Sequence, residues 1–180
     1  MGTYPAEPPE HHRPGATTQS RDHTLRVRRV CRLCALALLL AAATFGATDR
    51  AQEVDAIREA AFRYMFAHNA SGAKQSAKVY CLAIEDKDPD EAFLARFAGS
   101  TPPVKKRSEC KVSGRGVRDK ATGGKGLVFN VAAIRWVTDV AVEVDGGYYE
   151  ANLSASGNTY SLEKTDEGWA VVKDEMHWIS

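Results

Sequence analysis

The sequence predicts an α+β domain in which N-terminal helices pack on a curved antiparallel β-sheet. Residues 50–68 carry apolar side chains at spacings of three, four and seven, which is typical of one buried face of an α-helix. Residues 108–178 instead contain β-branched and aromatic runs separated by turn residues, which is typical of antiparallel strands. Helices at one end of the chain and strands at the other indicate two separate layers.

Two shorter elements lie between the long helix and the strand-rich half. Residues 78–84 form a β-branched and aromatic run and predict a strand. Asp88, Pro89 and Glu91 then form a helix start, with Asp88 as the cap. Gly99 is expected to end this second helix. Its buried face is predicted to consist of Phe93, Leu94 and Phe97.

The strand-rich half is predicted to be a meander of five strands. They span residues 108–117, 126–137, 139–151, 158–165 and 168–178. The residues between them, including the segment 154–157, have turn composition. Apolar and polar residues alternate in the third strand, with Val140, Val142 and Val144 on the expected buried face. Gly146 and Gly147 within it predict a bulge or a sharp bend.

The N-terminal quarter has the pattern of a secretory signal. An uncharged apolar run covers residues 33–43, and small residues follow it up to Ala47. The run is preceded by four basic residues, Arg26, Arg28, Arg29 and Arg32. A membrane-spanning helix needs about 20 apolar residues, so this run is too short; an interfacial or buried helix is the alternative. We expect residues 1–47 to be a leader and cleavable signal peptide, and residues 48–180 a single domain that is periplasmic or extracellular.

Export would leave two of the four cysteines, Cys81 and Cys110. Two cysteines in an oxidising compartment most simply pair, and two unpaired buried thiols are the alternative.

Removal of residues 1–47 takes away six of the 24 basic and three of the 23 acidic residues. The remainder has 18 basic and 20 acidic residues, a net charge of −2. A near-neutral domain argues against general nucleic-acid binding.

Charge is unevenly distributed along the chain. Residues 105–125 contain eight basic and two acidic residues, whereas residues 139–180 contain nine acidic and two basic ones. The basic segment could bind an anionic surface, a polysaccharide or an acidic partner, or it could be a solvated hairpin.

The order of elements resembles the cystatin-like cone of the nuclear transport factor 2-like superfamily. The resemblance covers residues from about 50 to 180 and rests on the long first helix, the Gly146-Gly147 pair and a closing hairpin. That hairpin comprises residues 158–164 and the run Gly-Trp-Ala-Val-Val at residues 168–172. The resemblance implies a concavity between helices and bent sheet. It does not select a chemistry, since the superfamily includes ketosteroid isomerases and polyketide cyclases as well as proteins that only bind or dimerise.

Aromatic residues are the first candidates for lining such a concavity. They could stack against a small apolar or ring-shaped ligand, or they could simply fill the core. The aromatic residues that could line it if their side chains point inward are Tyr64, Trp136, Tyr148, Tyr149, Tyr160, Trp169 and Trp178. The predicted ligand-binding set is Tyr64, Trp136, Tyr148, Tyr160 and Trp169.

Acid–base chemistry would need a buried carboxylate or histidine, and no catalytic role is assigned to any residue. The candidates are His68, Glu150, Asp174, Glu175 and His177. The last three are too close along one strand to converge on one ion, because neighbouring side chains face opposite ways. The sequence therefore predicts no metal and no cofactor.

These observations favour an exported binding or interaction module that is not an enzyme. Its expected partners are a small apolar ligand or a protein, with no nucleic acid and with membrane contact only through the signal segment. A small isomerase- or cyclase-like enzyme using a cone pocket is the first alternative. A structural domain that forms homodimers is the second.

Overall fold

The computed structural model describes residues 49–180, which form one compact unit. The predicted leader and signal segment, with the apolar run 33–43, lies outside the described residues. Within the described residues, no helix is long and apolar enough to cross a membrane.

The structure confirms the α+β class. Helix α1 covers residues 49–68, close to the predicted range, and helix α2 is Glu91–Ala95. A short 3-10 turn spans Arg107–Glu109. The strands are β1 Val79–Ile84, β2 Val104–Lys106, β3 Cys110–Ser113, β4 Gly116–Asp119, β5 Lys125–Thr138, β6 Ala141–Ala151, β7 Ser154–Thr165 and β8 Gly168–Ile179.

All eight strands belong to one sheet with the order β2-β1-β5-β6-β7-β8, and the β3–β4 hairpin joins it along β5. Strands β5 to β8 form the predicted antiparallel meander. The prediction of a wholly antiparallel sheet is wrong, because β1 runs parallel to both β2 and β5. The chain leaves β1 through α2 and returns to the sheet edge in the same direction, and such a crossover makes neighbouring strands parallel.

Several predicted boundaries are also wrong. The first meander strand, 108–117, is two strands joined by a tight turn at Gly114 and Arg115. Residues 154–157, predicted to be a turn, begin β7, and the turn lies instead at residues 152–153. Small residues have turn composition, but here they allow close pairing with β6. Val140 is exposed and not buried, since it lies in the turn before β6.

The start of α2 also differs from the prediction. Asp90 caps the helix, with its carboxylate accepting a 2.7 Å hydrogen bond from the Phe93 amide. Asp88 accepts a 2.8 Å hydrogen bond from the Ser108 amide instead. Phe93 is buried as predicted, together with Phe97 in the turn that follows the helix.

Helix α1 packs on one face of the sheet, which we call the inner face. Ile57, Phe62 and Met65 of α1 are fully buried against sheet residues such as Phe129 and Val144. The alternation of side chains along each strand sends the intervening residues to the opposite, outer face. A second, smaller buried cluster lies there, formed by Val79, Cys81, Cys110, Val117 and Val128.

The predicted disulfide between Cys81 and Cys110 is confirmed. Both residues are buried, and their Cα atoms are 6.4 Å apart. The bond joins β1 to the start of β3, so it attaches the β3–β4 hairpin to the sheet at the centre of the outer cluster. Closing a loop with a sequence separation of 29 residues restricts the unfolded chain, which stabilises the fold by about 3–4 kcal/mol in the chain-entropy account.

We expect replacement of both cysteines, Cys81→Ser with Cys110→Ser, to lower the free energy of unfolding by about 3–4 kcal/mol. Urea unfolding of the oxidised protein and of the double variant measures the difference. Addition of a reductant should destabilise the wild type and leave the variant unchanged. Equal stability of the oxidised wild type and the variant would contradict this account.

Candidate functional site

The five aromatic residues predicted to bind a ligand lie on the inner face in contact with the core. Tyr148 and Tyr160 are buried in the main core. Trp136 and Trp169 pack edge to face, with ring centroids 5.6 Å apart. Tyr64 packs against Tyr160, with centroids 5.6 Å apart. The set thus forms separate groups between α1 and the sheet, and ligand binding by it stays a prediction.

The outer face carries a cleft of about 680 Å³, which we call the outer cleft. It extends across the middle of β5, β6, β7 and β8. Its floor contains three glycines, Gly146, Gly147 and Gly157. Around them lie Asp86, Val128, Asn130, Ala132, Arg135, Asp145, Tyr149, Thr159, His177 and Trp178.

The glycines of the floor lie where a side chain would overlap the neighbouring strand or a side chain that covers the floor. Gly147 and Gly157 are direct partners in the β6–β7 ladder. A Cβ atom on Gly147 would lie 2.0 Å from the backbone oxygen of Ser156. A Cβ atom on Gly157 would lie 2.3 Å from the indole nitrogen of Trp178. Gly147 therefore requires glycine, whereas a side chain at Gly157 would require the Trp178 ring to move.

Bulges flank this floor. In the β5–β6 ladder, Val131 pairs with Gly146 and Ile134 pairs with Val144. Two residues of β5 therefore lie opposite the single residue Asp145 of β6, which leaves one extra residue in β5. His177 is the extra residue of a second bulge, in β8 opposite Gly157. The β6–β7 ladder keeps its register through Gly146 and Gly147, so the predicted bulge lies in the neighbouring strands instead. Bulges bend a strand and re-aim its side chains, which directs His177 into the cleft.

A chain of hydrogen bonds crosses the cleft. The guanidinium of Arg135 pairs with the carboxylates of Asp145 and Glu143. The hydroxyl of Thr159 donates to Asp145 over 2.7 Å and lies 2.8 Å from Nε2 of His177. Hydrogen bonds from Arg135 hold the pKa of the Asp145 carboxyl below its ordinary value. Asp145 therefore stays charged and acts as an acceptor at neutral pH.

The rim of the cleft contains a strained turn. Glu85 and Asp86 have positive φ angles of 50° and 63°, and hydrogen bonds between Ile84 and Lys87 close the turn. Each left-handed non-glycine residue costs about 1–2 kcal/mol. The Asp86 carboxylate accepts a 3.2 Å hydrogen bond from the Asn130 amide, which positions it beside the cleft. Strained non-glycine residues are concentrated at functional sites in proteins.

Aromatic side chains stand on two sides of the floor. Trp178 lies over Gly157 and is 55% exposed. The Tyr149 hydroxyl lies 3.1 Å from the Ser113 carbonyl oxygen, which fixes the ring against the β3–β4 turn. Both residues are among the seven aromatic candidates from the sequence, but neither belongs to the predicted ligand-binding set of five. Alternation along β6 was the available signal, because a buried Tyr148 places Tyr149 on the opposite face.

The candidate acid–base residues do not converge. His68 stacks on Tyr64, His177 lies in the outer cleft, and Glu175 pairs with Lys173. Glu150 accepts hydrogen bonds of 2.6 and 2.7 Å from two serines, Ser71 and Ser154. Burial raises the pKa of Glu150, but these hydrogen bonds outweigh it and the pKa is lowered overall. Among the residues that the structure describes, no three His, Cys, Asp or Glu side chains are grouped as a metal site would require.

Asp174 is the candidate with the most distinctive surroundings. Its carboxylate accepts a 2.5 Å hydrogen bond from the Asn158 amide on the inner side of β7 and β8. Burial raises the pKa of Tyr64 and Tyr160, and the negative charge of Asp174 raises both further. Both phenols are therefore held in the protonated form.

We expect the substitutions Gly147→Ala and Gly157→Ala to have different effects. The first places a methyl group against the β7 backbone, which cannot move away, and should cost more than about 2 kcal/mol in free energy of unfolding. The second meets only the exposed Trp178 ring, which can rotate, and should cost less than about 1 kcal/mol while changing tryptophan fluorescence. Equal losses of stability would show that the two glycines do not differ in this way.

Comparison with known proteins finds no match, since no protein-family model, no curated protein sequence and no solved structure is similar to this chain. The likeness to the nuclear transport factor 2-like superfamily therefore rests on the order of elements alone.

Proposed function

We propose that this chain is an exported, non-catalytic binding module and that the outer cleft is its ligand site. The observation that carries this proposal is the cleft itself. It joins a floor of bare backbone, aromatic rings on two sides and fixed polar groups within about 680 Å³. That combination of an apolar surface with a few positioned polar groups is typical of small-molecule sites.

The chemistry of the cleft favours a ligand with both an apolar ring face and hydrogen-bonding groups. Trp178 offers an exposed ring face for stacking. Asp86 and Asp145 offer charged acceptors, and the imidazole of His177 offers a further polar contact. A purely apolar ligand would remove these groups from water without offering a hydrogen bond in return, which would weaken binding. A hydroxylated ring, such as a sugar or a phenol, fits both requirements.

We also propose that the fold is the cone of the nuclear transport factor 2-like superfamily. The support is a long helix across the inner face, bulges that bend the meander, and the closing β7–β8 hairpin.

Export is supported by the apolar segment 33–43 with its arginine flank and by the disulfide, since stable disulfides form in oxidising compartments.

Two other functions have some support. The contacts among Tyr64, Tyr160 and Asp174 place a carboxylate beside two protonated phenols, as an isomerase- or cyclase-like enzyme would need. Formation of a homodimer is supported by exposed apolar side chains on β8. These are Val172, Met176, Trp178 and Ile179, each about half exposed.

The ligand site is tested by titrating the protein with hexose sugars and hydroxylated aromatic rings while amide NMR signals are recorded. We expect the largest shifts at Gly147 and Gly157, whose amides lie in the cleft floor. The variant Trp178→Ala should bind the best of these ligands about 2- to 10-fold more weakly, because an aromatic contact contributes about 0.5–1.5 kcal/mol.

Val172→Ala is the matched control, since Val172 is equally exposed on the same strand but lies outside the cleft. This variant should bind as the wild type does. Shifts centred on Tyr64 and Asp174 would favour the enzyme instead. If none of these sugars and hydroxylated aromatic rings binds, the proposed class of ligand is wrong.

Export is tested by mass spectrometry of the unreduced protein recovered outside the cytoplasm. We expect a chain that begins near residue 48 and contains one disulfide and no free thiol. The variant with Leu38→Arg and Leu39→Arg interrupts the apolar run and should remain in the cytoplasm at full length. Recovery of the full-length wild type from the cytosol with both thiols free would refute export.

A further inference from the structure

We propose that a row of four basic side chains at one end of the sheet binds a linear acidic polysaccharide. We call Lys78, Lys125, Arg118 and Lys111 the basic row. This site is separate from the outer cleft and does not depend on the function proposed for it.

Strand register places these side chains next to one another. Lys111 is the direct partner of Arg118 in the β3–β4 ladder, and Arg118 is the direct partner of Lys125 in the β4–β5 ladder. The Lys78 amide donates to the Lys125 carbonyl over 2.7 Å, next to the β1–β5 pair Val79 and Gly126. Residues directly opposite on neighbouring strands share a face of the sheet. The four side chains therefore form one line across four strands.

Two other basic residues of the segment 105–125 are neutralised by carboxylates, whereas the basic row is not. Lys105 pairs with Asp119, and Lys106 pairs with Glu91. All four residues of the basic row are exposed, and within residues 49–180 none of them forms a salt bridge. The charge of Lys125 acts on Glu150, whose Oε2 atom accepts hydrogen bonds from Ser71 and Ser154, but Lys125 and Glu150 do not form a salt bridge.

This arrangement is unfavourable unless an anion is present. Like charges directly opposite each other on paired strands are destabilising, and the basic row contains two such pairs in succession. An acidic ligand would convert this repulsion into attraction. The cost that the free protein bears is therefore evidence for a bound partner with negative charge.

The linear form of the site selects the class of partner. Neighbouring strands are about 4.8 Å apart, so four positions extend over about 14 Å in a single file. An acidic polysaccharide presents carboxylates along one line in the same way. A broad anionic surface such as a membrane fits less well, because residues 139–180 carry nine acidic and only two basic residues and would be repelled.

The test measures binding of polygalacturonate to the wild type and to Lys111→Gln with Arg118→Gln at low ionic strength. The control is Lys87→Gln with Lys173→Gln, which removes the same charge from exposed lysines outside the basic row. We expect the row variant to bind about tenfold more weakly, because each exposed ion pair contributes a factor of a few. The control should bind within about twofold of the wild type, and salt should weaken binding of the wild type.

Thermal unfolding distinguishes loss of the site from loss of the fold. The row variant should be at least as stable as the wild type, since a like-charge pair has been removed. Equal weakening in both variants, or no binding of polygalacturonate by the wild type, would overturn the proposal. Tighter binding to vesicles of phosphatidylglycerol than to polygalacturonate would overturn it in favour of a membrane.

Discussion

The close approach of β6 and β7 at Gly147 and Gly157 is the constraint on which the rest of the structure depends. A methyl group on Gly147 would overlap the β7 backbone at Ser156, whereas one on Gly157 would meet only the ring of Trp178. The bulges in β5 and β8 occur on either side of this contact, and they bend the strands around it. One face of the bent sheet receives α1, and the other is left with a concave floor of exposed backbone.

The two faces of the sheet consequently have different chemistry. On the inner face, the residues from Ile57 to Met65 of α1 seal an apolar core with the buried tyrosines. On the outer face, the disulfide and its small cluster cover only β1, β5 and the adjoining hairpin. Outside the region that this cluster covers, the hydrogen-bonded side chains that connect Arg135 to His177 remain open to solvent. The fold therefore places its main core on one side of the sheet and an open polar cleft on the other.

Patterns with a local physical cause were predicted correctly. The periodicity of α1, the last four strands of the predicted meander and the Cys81–Cys110 pair follow from side-chain spacing and from the chemistry of thiols. The parallel pairing of β1 was not predicted, because it depends on where the chain returns after α2 and no local pattern encodes that path. The bulges at Ile134 and His177 were missed for a related reason. An extra residue is visible only when the partner strand is known, and each bulge changes which side chains face the cleft.

The bulges in β8 have one more consequence. This strand lies at the edge of the sheet, and it contains a second extra residue at Val172 in addition to His177. Two interruptions within 12 residues, with Lys173 and Glu175 between them, break the regular row of donors and acceptors that a free edge would otherwise present. Another copy of the chain cannot extend the sheet along this edge in continuous register. The same irregularity that turns His177 towards the cleft thus disfavours edge-to-edge pairing along β8.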